Sequence, residues 1–317
     1  MNIIEFTGSF PDEQACIAHF KALRDQKGVV CPKCGCREHY WLQNKLRYEC
    51  KSCHCRQSLR SGTVMENSKL PFLYWYIAIH LLTSTKKSFS ALELQRQLGH
   101  KRYQPIWEML HKLRNVMGKR DNEYQLSGQV ELDTAFITTL IADEQKGEEL
   151  KRGAGSQNKS KVIVMTESVS VEDPKPGRPP KKVNHIKMQV TNDMQAATAA
   201  GTVKEKVDSQ AELITDDSTS YTKLKEVVKS HLAQVIQPED LPKLLPWVHI
   251  AIGNVKRLLL DMHHQLRKEY LQYYLDEFCY KFNRRYFGDR LFDRLVMVAV
   301  TYNTDFKSKI YNRALCG

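Results

Sequence analysis

The N-terminal part of the chain alternates amphipathic stretches with one polar segment. Residues 1–25 place apolar side chains on one helical face, and residues 70–83 form an apolar, aromatic run that Pro71 opens. Between them, residues 28–60 carry few apolar side chains and many cysteines. The pattern predicts an N-terminal helix, a small cysteine-rich module and a buried helix, in that order.

Two more helices are predicted around a short turn. The first covers residues 90–98, Gly99-His100 forms the turn, and the second runs from about Tyr103 to Met117 with one apolar face. This pattern is typical of a helix-turn-helix, whose second helix lies in the major groove of DNA. A helical hairpin that only packs gives the same pattern, so DNA binding and plain helical packing both stay open.

From residue 128 onward, short strands and helices replace the helical pattern. Residues 129–137 alternate apolar and polar side chains, as a strand with one buried face does. The further predicted strands are 162–169, 185–190 and 212–216, and the predicted helical regions are 193–207, 219–230 and most of 246–285. Three strands followed by a helix, a strand and helices indicate an α/β domain.

Composition and charge narrow the class of protein. The 317 residues allow two or three domains, and 42% apolar with 26% charged residues is ordinary globular composition. No run of about 18 apolar residues occurs, and the N-terminus lacks the features of a signal peptide. We therefore expect a cytoplasmic protein without a membrane partner. The net charge of +12 fits a polyanionic partner or a protein that is simply basic.

Six of the nine cysteines fall in two CxxCxC clusters, which in a chain without an export signal indicates metal binding. Two CxxC pairs separated by 15 residues can supply four thiolates to one tetrahedral zinc ion. The four predicted ligands are Cys31, Cys34, Cys50 and Cys53. Cys36 and Cys55 are predicted to be spare, because Gly35 suits a sharp turn after the first pair. Four ligands fill the site, so the zinc is expected to be structural, with a redox pair or cluster as the alternative.

Two aspartates are candidates for a second, catalytic metal site. Asp133 stands inside an apolar strand, where a carboxylate is costly unless it is paired or bound to a metal. Asp216 ends another strand. Two such carboxylates suit the pair of divalent ions that catalyse phosphoryl transfer. The competing interpretation is that Asp216, followed by Asp217 and Ser218, only caps a helix.

Several segments, in this order and spacing, resemble one protein family. They are Cys31-Pro-Lys-Cys34, Cys50-Lys-Ser-Cys53, Val130-Glu-Leu-Asp133, Thr215-Asp216 with Tyr221, Trp247-Val-His249 with Asn254 and Lys256, and Phe282-Asn283-Arg284-Arg285. Over about residues 10–285 the chain resembles bacterial insertion-sequence transposases of the zinc-ribbon DDE type, the group with an ISXO-like transposase domain. The resemblance implies an RNase H-like catalytic domain that uses Mg²⁺ or Mn²⁺. The expected segments are an N-terminal helix (1–27), a zinc ribbon (28–62), a helix-turn-helix segment (63–122), the RNase H-like domain (123–290) and a C-terminal tail (291–317).

By this resemblance, Asp133 and Asp216 match the first two acidic residues of the catalytic triad, and the spacing to Tyr221 favours Asp216 over Asp217. Many relatives have a Glu at the third position followed seven residues later by a Lys. In this chain His249 stands seven residues before Lys256, and Asn254 lies between them. Either His249 or Asn254 is expected to make the third metal contact, and Lys256 to approach a DNA phosphate.

The resemblance also implies the partners. Double-stranded DNA, as element ends and as target, is expected to contact Lys151, Arg152, Lys256, Arg284 and Arg285. Basic side chains around the ribbon add a further nucleic-acid face: Lys33, Arg37, Lys45, Arg47, Lys51, Arg56 and Arg60. The predicted function is metal-dependent cleavage and transfer of DNA strands by at least a homodimer, associated with the bacterial nucleoid. The alternative is an inactive or domesticated transposase that acts as a DNA-binding regulator.

Overall fold

The computed structural model describes residues 1–141, 149–173, 180–234, 245–263 and 266–306. The chain divides into two compact units. The terminal unit joins Met1–Arg120 to the segment that begins at Tyr286, and the central unit is Asp121–Arg285. Among the residues described, no helix is long and apolar enough to cross a membrane.

The terminal unit contains a three-stranded sheet, and the central unit contains a five-stranded one. The helices are α1 (Ile3–Ser9), α2 (Glu13–Lys27), α3 (Phe72–Ser84), α4 (Ala91–Leu98), α5 (Tyr103–Asp121), α6 (Ala196–Lys206), α7 (Pro246–Met262), α8 (Lys268–Asn283) and α9 (Leu291–Thr301). The strands are β1 (His39–Leu42), β2 (Arg47–Cys50), β3 (Arg56–Ser58), β4 (Gln129–Thr138), β5 (Lys159–Ser170), β6 (Lys181–Thr191), β7 (Glu212–Asp216) and β8 (Ser230–Gln234).

Aromatic side chains from three helices form the core of the terminal unit. Phe6 of α1 stacks on His80 of α3, with ring centroids 4.4 Å apart, and Phe10 lies 5.5 Å from Phe292 of α9. The prediction of a tail over 291–317 is therefore wrong for its first part. Residues 291–301 form α9, because their apolar side chains at helical spacing are buried against α2 and α3. Residues 307–317 lie outside the described residues.

The predicted pair of helices around Gly99 is confirmed. Ser90 caps α4 by accepting a hydrogen bond from the N–H of Glu93, and Gly99 ends it in the left-handed conformation, with φ near 60°. In α5 the side chains are buried from Met109 to Met117, whereas Tyr103 and Gln104 in the first turn are exposed. A recognition helix reads bases with its N-terminal residues, so the exposed turn is the part of α5 that such a role requires.

The central unit is built on a five-stranded sheet with the order β6-β5-β4-β7-β8. Strands β4, β5 and β6 are antiparallel neighbours, while β7 and β8 run parallel to β4. This order and direction of strands is the RNase H-like arrangement that the resemblance implied. One prediction within it is wrong, because residues 219–230 are not a helix. Short 3-10 turns lie at 219–221 and 224–226, and the edge strand β8 follows.

Each face of this sheet carries its own apolar core. Ala135 and Ile137 of β4 lie on one face, under α7 and α8. Val130 and Leu132 lie on the other, with α6 and the two 3-10 turns. Because side chains alternate along a strand, Glu131 and Asp133 belong to the face covered by α7 and α8.

Candidate metal centres and active site

The zinc ribbon brings four cysteine sulfurs together. The Sγ atoms of Cys31, Cys34, Cys50 and Cys53 all lie within 4.8 Å of one another. Two of the pairs, Cys31 with Cys53 and Cys34 with Cys50, are 3.5 Å apart. A zinc ion with Zn–S bonds of about 2.3 Å needs sulfurs about 3.8 Å apart at the corners of a tetrahedron. The sulfur arrangement therefore fits one structural zinc ion.

Two equivalent turns shape this site. The N–H of Gly35 donates to the carbonyl of Cys31, and the N–H of Cys31 donates to the carbonyl of Cys36. The second pair repeats both bonds with His54 and Cys55. Gly35 has φ +72° and His54 has φ +55°, so both turns need the left-handed conformation that glycine adopts most easily. Cys36 and Cys55 contribute backbone carbonyls, which agrees with the prediction that their thiols are spare.

The two predicted catalytic aspartates stand at the same level on neighbouring strands. Strands β4 and β7 are parallel, and Glu131 pairs with Ile214 in their register. This pairing ends two residues before both aspartates, so Asp133 and Asp216 occupy corresponding positions just beyond it on adjacent strands. The charge of Asp216 contributes to raising the pKa of Asp133, as expected for neighbouring carboxyl groups. Ile214 packs into the core under α7 and α8, so by alternation Asp216 faces the same side as Asp133. Asp217 is exposed and follows the end of β7.

Burial raises the pKa of both aspartate carboxyl groups. It raises the pKa of Asp133, although the N–H of Thr134, which donates to Asp133 Oδ1 at 2.6 Å, acts in the opposite direction. Burial also raises the pKa of Asp216, and the neighbouring charge of Asp217 raises it further. Asp133 and Asp216 repel one another as anions, so a bound cation would stabilise the charged form of both.

His249 of α7 lies beside the first aspartate. Its Nδ1 is 3.7 Å from Asp133 Oδ2. Its Nε2 is buried and has no hydrogen-bond partner among the described residues. Asn254 is engaged elsewhere, because its Oδ1 accepts a hydrogen bond of 3.0 Å from Arg257 one turn further along α7. Of the two candidates for the third position, the structure brings His249 to the aspartates.

Lys256 is a basic side chain on the same helix as His249. Its side chain is exposed, and its positive charge lowers the pKa of Asp133, although burial, Thr134, His249 and Asp216 all affect this pKa more strongly. The seven residues between His249 and Lys256 correspond to two turns of α7, which puts both on similar sides of the helix. An exposed ammonium group on this side of the helix can contact a phosphate.

Glu131 is a member of this site that the sequence did not single out. It lies two residues before Asp133, is 5% exposed, and accepts hydrogen bonds of 2.9 Å from the N–H groups of Trp247 and Val248 at one oxygen, Oε2. Burial raises the pKa of Glu131 to about 7, although these two donors act against the shift. Its position in the alternation of β4, on the side of Asp133, was the only sequence signal for it.

Comparison with known proteins decides the family. A family profile described as an ISXO2-like transposase domain matches residues 125–283, and one described as a transposase zinc-ribbon domain matches residues 11–56. The chain belongs to the ISXO2-like transposase family. No curated protein matches the chain.

Solved structures of the Mos1 transposase are also similar to this ISXO2-like chain. The Mos1 strand transfer complex and the paired-end complex with the left transposon end both have 13% identity and a TM-score of 0.27. They cover 76% and 75% of this chain, and 82% of each matched chain. A pre-cleavage Mos1 transpososome gives 13% identity and a TM-score of 0.25, over 74% of this chain and 81% of that one. TM-scores this low do not establish a common fold. The RNase H-like assignment follows from the strand order of the five-stranded sheet.

The predicted DNA contacts of this ISXO2-like transposase divide into two groups. Lys151 and Arg152 are exposed in the connection between β4 and β5, as a DNA contact requires. Arg284 is buried, and its guanidinium forms an ion pair of 2.5 Å with Asp121. The guanidinium of Arg285 donates to the carbonyls of Asn184 and Val183.

The DNA role expected for Arg284 is therefore corrected. Its guanidinium turns inward to Asp121 and the carbonyl of Tyr280 within the central unit, where burial strengthens these hydrogen bonds. Arg285 is half-buried, and its DNA contact stays a prediction. Asn283 takes part in the same buried network, since its amide donates to Asp121 and Tyr124. The basic sequence around residue 284 fixes α8 in the unit.

Proposed function

We propose that the chain is the DNA transposase of an insertion sequence, which binds the terminal inverted repeats of its element and catalyses metal-dependent cleavage and transfer of DNA strands. The observation that carries the proposal is the convergence of Asp133, Asp216 and His249 on one face of an RNase H-like sheet. Family membership supports the same activity.

The residues that would hold divalent ions are Asp133, Asp216 and His249. Two bound Mg²⁺ or Mn²⁺ ions would supply an activated water or 3′-hydroxyl and would stabilise the leaving oxygen of the cleaved strand. The Nδ1 of His249, which faces Asp133 Oδ2 at 3.7 Å, fits a role as a ligand of an ion that Asp133 also holds. With His in place of a carboxylate, the site has one negative charge less than a triad of acids. We therefore expect weak affinity for Mg²⁺ and a preference for Mn²⁺, which accepts imidazole more readily.

The DNA interface combines exposed basic side chains from several places. Lys256 would contact a phosphate next to the cleaved bond, and Lys151 with Arg152 would hold the flanking backbone. The ribbon and the exposed first turn of α5 would bind the terminal repeats. Since two element ends must be held together during strand transfer, we expect at least a homodimer on DNA.

Strand cleavage tests this proposal. The purified protein is incubated with Mn²⁺ or Mg²⁺ and labelled duplexes that carry the DNA flanking its own gene, with duplexes of scrambled sequence as control. We expect nicks at defined positions, abolished by Asp133→Asn and Asp216→Asn. His249→Ala should lose at least about 100-fold in rate, because removing one catalytic ligand affects the reaction directly. Asn254→Ala, on the same helix, should stay within about threefold of the wild-type rate.

The histidine at the third position also favours a second candidate, a DNA-binding regulator without cleavage activity. The same duplexes separate the two functions. A regulator would bind the flanking DNA with normal affinity, and wild-type protein and Asp133→Asn would give equal background cleavage in both metals. That result would refute the catalytic proposal and leave DNA recognition intact.

A further inference from the structure

The first turn of α7 begins without a cap of its own. Leu245 stands at the N-cap position and has no side chain that accepts a hydrogen bond, and Pro246 follows at the first helical position. The first N–H groups of a helix have no partner within the helix. Two of them, those of Trp247 and Val248, are satisfied by Glu131 Oε2 from strand β4, each at 2.9 Å.

The other backbone groups of this turn also have partners. Pro246 has no N–H, and the N–H of His249 donates to the carbonyl of Leu245 at 3.3 Å. A single carboxylate oxygen therefore completes the hydrogen bonding of the turn that ends at His249. The carboxylate also suits the positive end of the helix dipole.

The contact between Glu131 and α7 ties both Asp133 and His249 to strand β4. Asp133 is a residue of β4, and His249 is held over it by a helix whose first turn is anchored two residues earlier on β4. The Nδ1 to Oδ2 distance of 3.7 Å between His249 and Asp133 thus depends on where Glu131 holds α7. A shift of the helix by about one ångström would be enough to lose the contact.

We propose that Glu131 is a positioning residue of the transposase site, which fixes His249 beside Asp133 by anchoring the N-terminus of α7 to β4. The proposal rests on the proposed function, because it assigns Glu131 to the same reaction. Glu131 touches no reacting atom in this role. Its effect on the reaction passes through His249.

Two substitutions separate this role from general stabilisation. Glu131→Gln keeps an oxygen that can accept both N–H groups, whereas Glu131→Ala leaves two buried donors without a partner. The matched control is Glu167 of β5, which is also 5% exposed and also accepts a backbone N–H, that of Ser127 at 2.9 Å. Its hydrogen bonds go to residues outside α7, so Glu167→Ala reports the cost of losing a buried carboxylate elsewhere in the sheet.

The experiment measures strand cleavage at saturating duplex and Mn²⁺, together with duplex affinity, at a temperature where all variants are folded. We expect Glu131→Ala to lower the maximal rate on the order of 100-fold, the effect of misplacing a catalytic group by about 1 Å, with duplex affinity unchanged. Glu131→Gln should recover the rate to within about tenfold of wild type, and Glu167→Ala should keep it. Equal losses in Glu131→Ala and Glu167→Ala, or equal losses in Glu131→Ala and Glu131→Gln, would overturn the proposal.

A second readout does not depend on activity. The change that Asp133→Asn causes in the NMR signals of the His249 ring reports the contact of the two side chains without metal. We expect this change in wild type and in Glu131→Gln, and its loss in Glu131→Ala. If the wild-type protein cuts no DNA, the proposed function fails, and the spectra still decide the role of Glu131. Persistence of the change in Glu131→Ala would refute that role.

Discussion

Replacing Arg284 with methionine tests whether this arginine holds the central unit together or binds DNA. The Arg284 guanidinium and the Asp121 carboxylate are 9% and 8% exposed and lie 2.5 Å apart. Burial raises the pKa of Asp121 even with the arginine present. Methionine keeps most of the volume of the side chain but leaves a buried carboxyl group without its cation.

The expected cost follows from this burial. Removing one partner of a buried ion pair costs about 3–5 kcal/mol, because the other charge stays uncompensated. For a unit of 150–250 residues, each kcal/mol lowers the melting temperature by about 2–4 °C. The central unit of Arg284→Met should therefore melt roughly 6–20 °C lower. In the double variant with Asp121→Asn, part of this loss should return, since no charge is left buried.

The assay pairs calorimetry with the salt dependence of DNA binding. Each phosphate contact contributes about 0.9 to the slope of log affinity against log salt. Arg284→Met should keep the slope of wild type at temperatures where it is folded. Lys151→Met with Arg152→Met should reduce the slope by about 2 and leave the melting temperature unchanged. An Arg284→Met protein that melts like wild type and loses about 0.9 in slope would refute the reasoning.

Two further predictions concern the ribbon and the pH dependence of stability. Purified protein should contain one zinc ion per chain by elemental analysis. Cys50→Ser should lose the ion and become sensitive to proteolysis within the ribbon, because Cys50 is one of the four converging thiolates. Cys36→Ser should keep the ion and its resistance to proteolysis, because Cys36 is not one of these thiolates. Burial lowers the pKa of Lys187 to about 8, below its ordinary value of 10.5, so its burial destabilises the folded state at neutral pH, and the destabilisation disappears as pH rises through this range. The free energy of unfolding of the central unit, measured with denaturant, should rise by about 2 kcal/mol between pH 8 and 9.5, and Lys187→Met should remove this rise. A Cys36→Ser protein without zinc would contradict the first prediction. The same rise of unfolding free energy with pH in Lys187→Met would contradict the second.

The sequence predicted those elements that depend only on the order of their own residues. The zinc knuckles follow from cysteine spacing, and β4 follows from the alternation around Asp133. The sequence predicted that Asp133 and Asp216 share a metal site, because two such carboxylates suit divalent ions. Their relative position follows from the parallel register of β4 and β7. Between His249 and Asn254, the sequence offered no decision, because it does not show where α7 lies on the sheet.

The features that sequence reasoning missed depend on contacts between distant segments. Strand β8 is formed by five residues that pair with β7, and local composition gave no sign of that partner. The role of Glu131 depends on a helix that begins more than a hundred residues later. Arg284 looks like a DNA contact until Asp121 is found opposite its guanidinium. In each case a tertiary partner decides the role of the residue.

The terminal unit is discontinuous, and this has a consequence for synthesis on the ribosome. Phe6, Phe10 and His80 are made early, but Phe292, which they pack against, is made only after the whole central unit. Until α9 emerges, the growing chain exposes the aromatic surface that α9 will cover, while Asp121–Arg285 can already fold as a continuous segment. The helices that pack around these aromatic side chains therefore reach their final packing last. A nascent or truncated chain would carry the candidate cleavage site without a completed terminal unit.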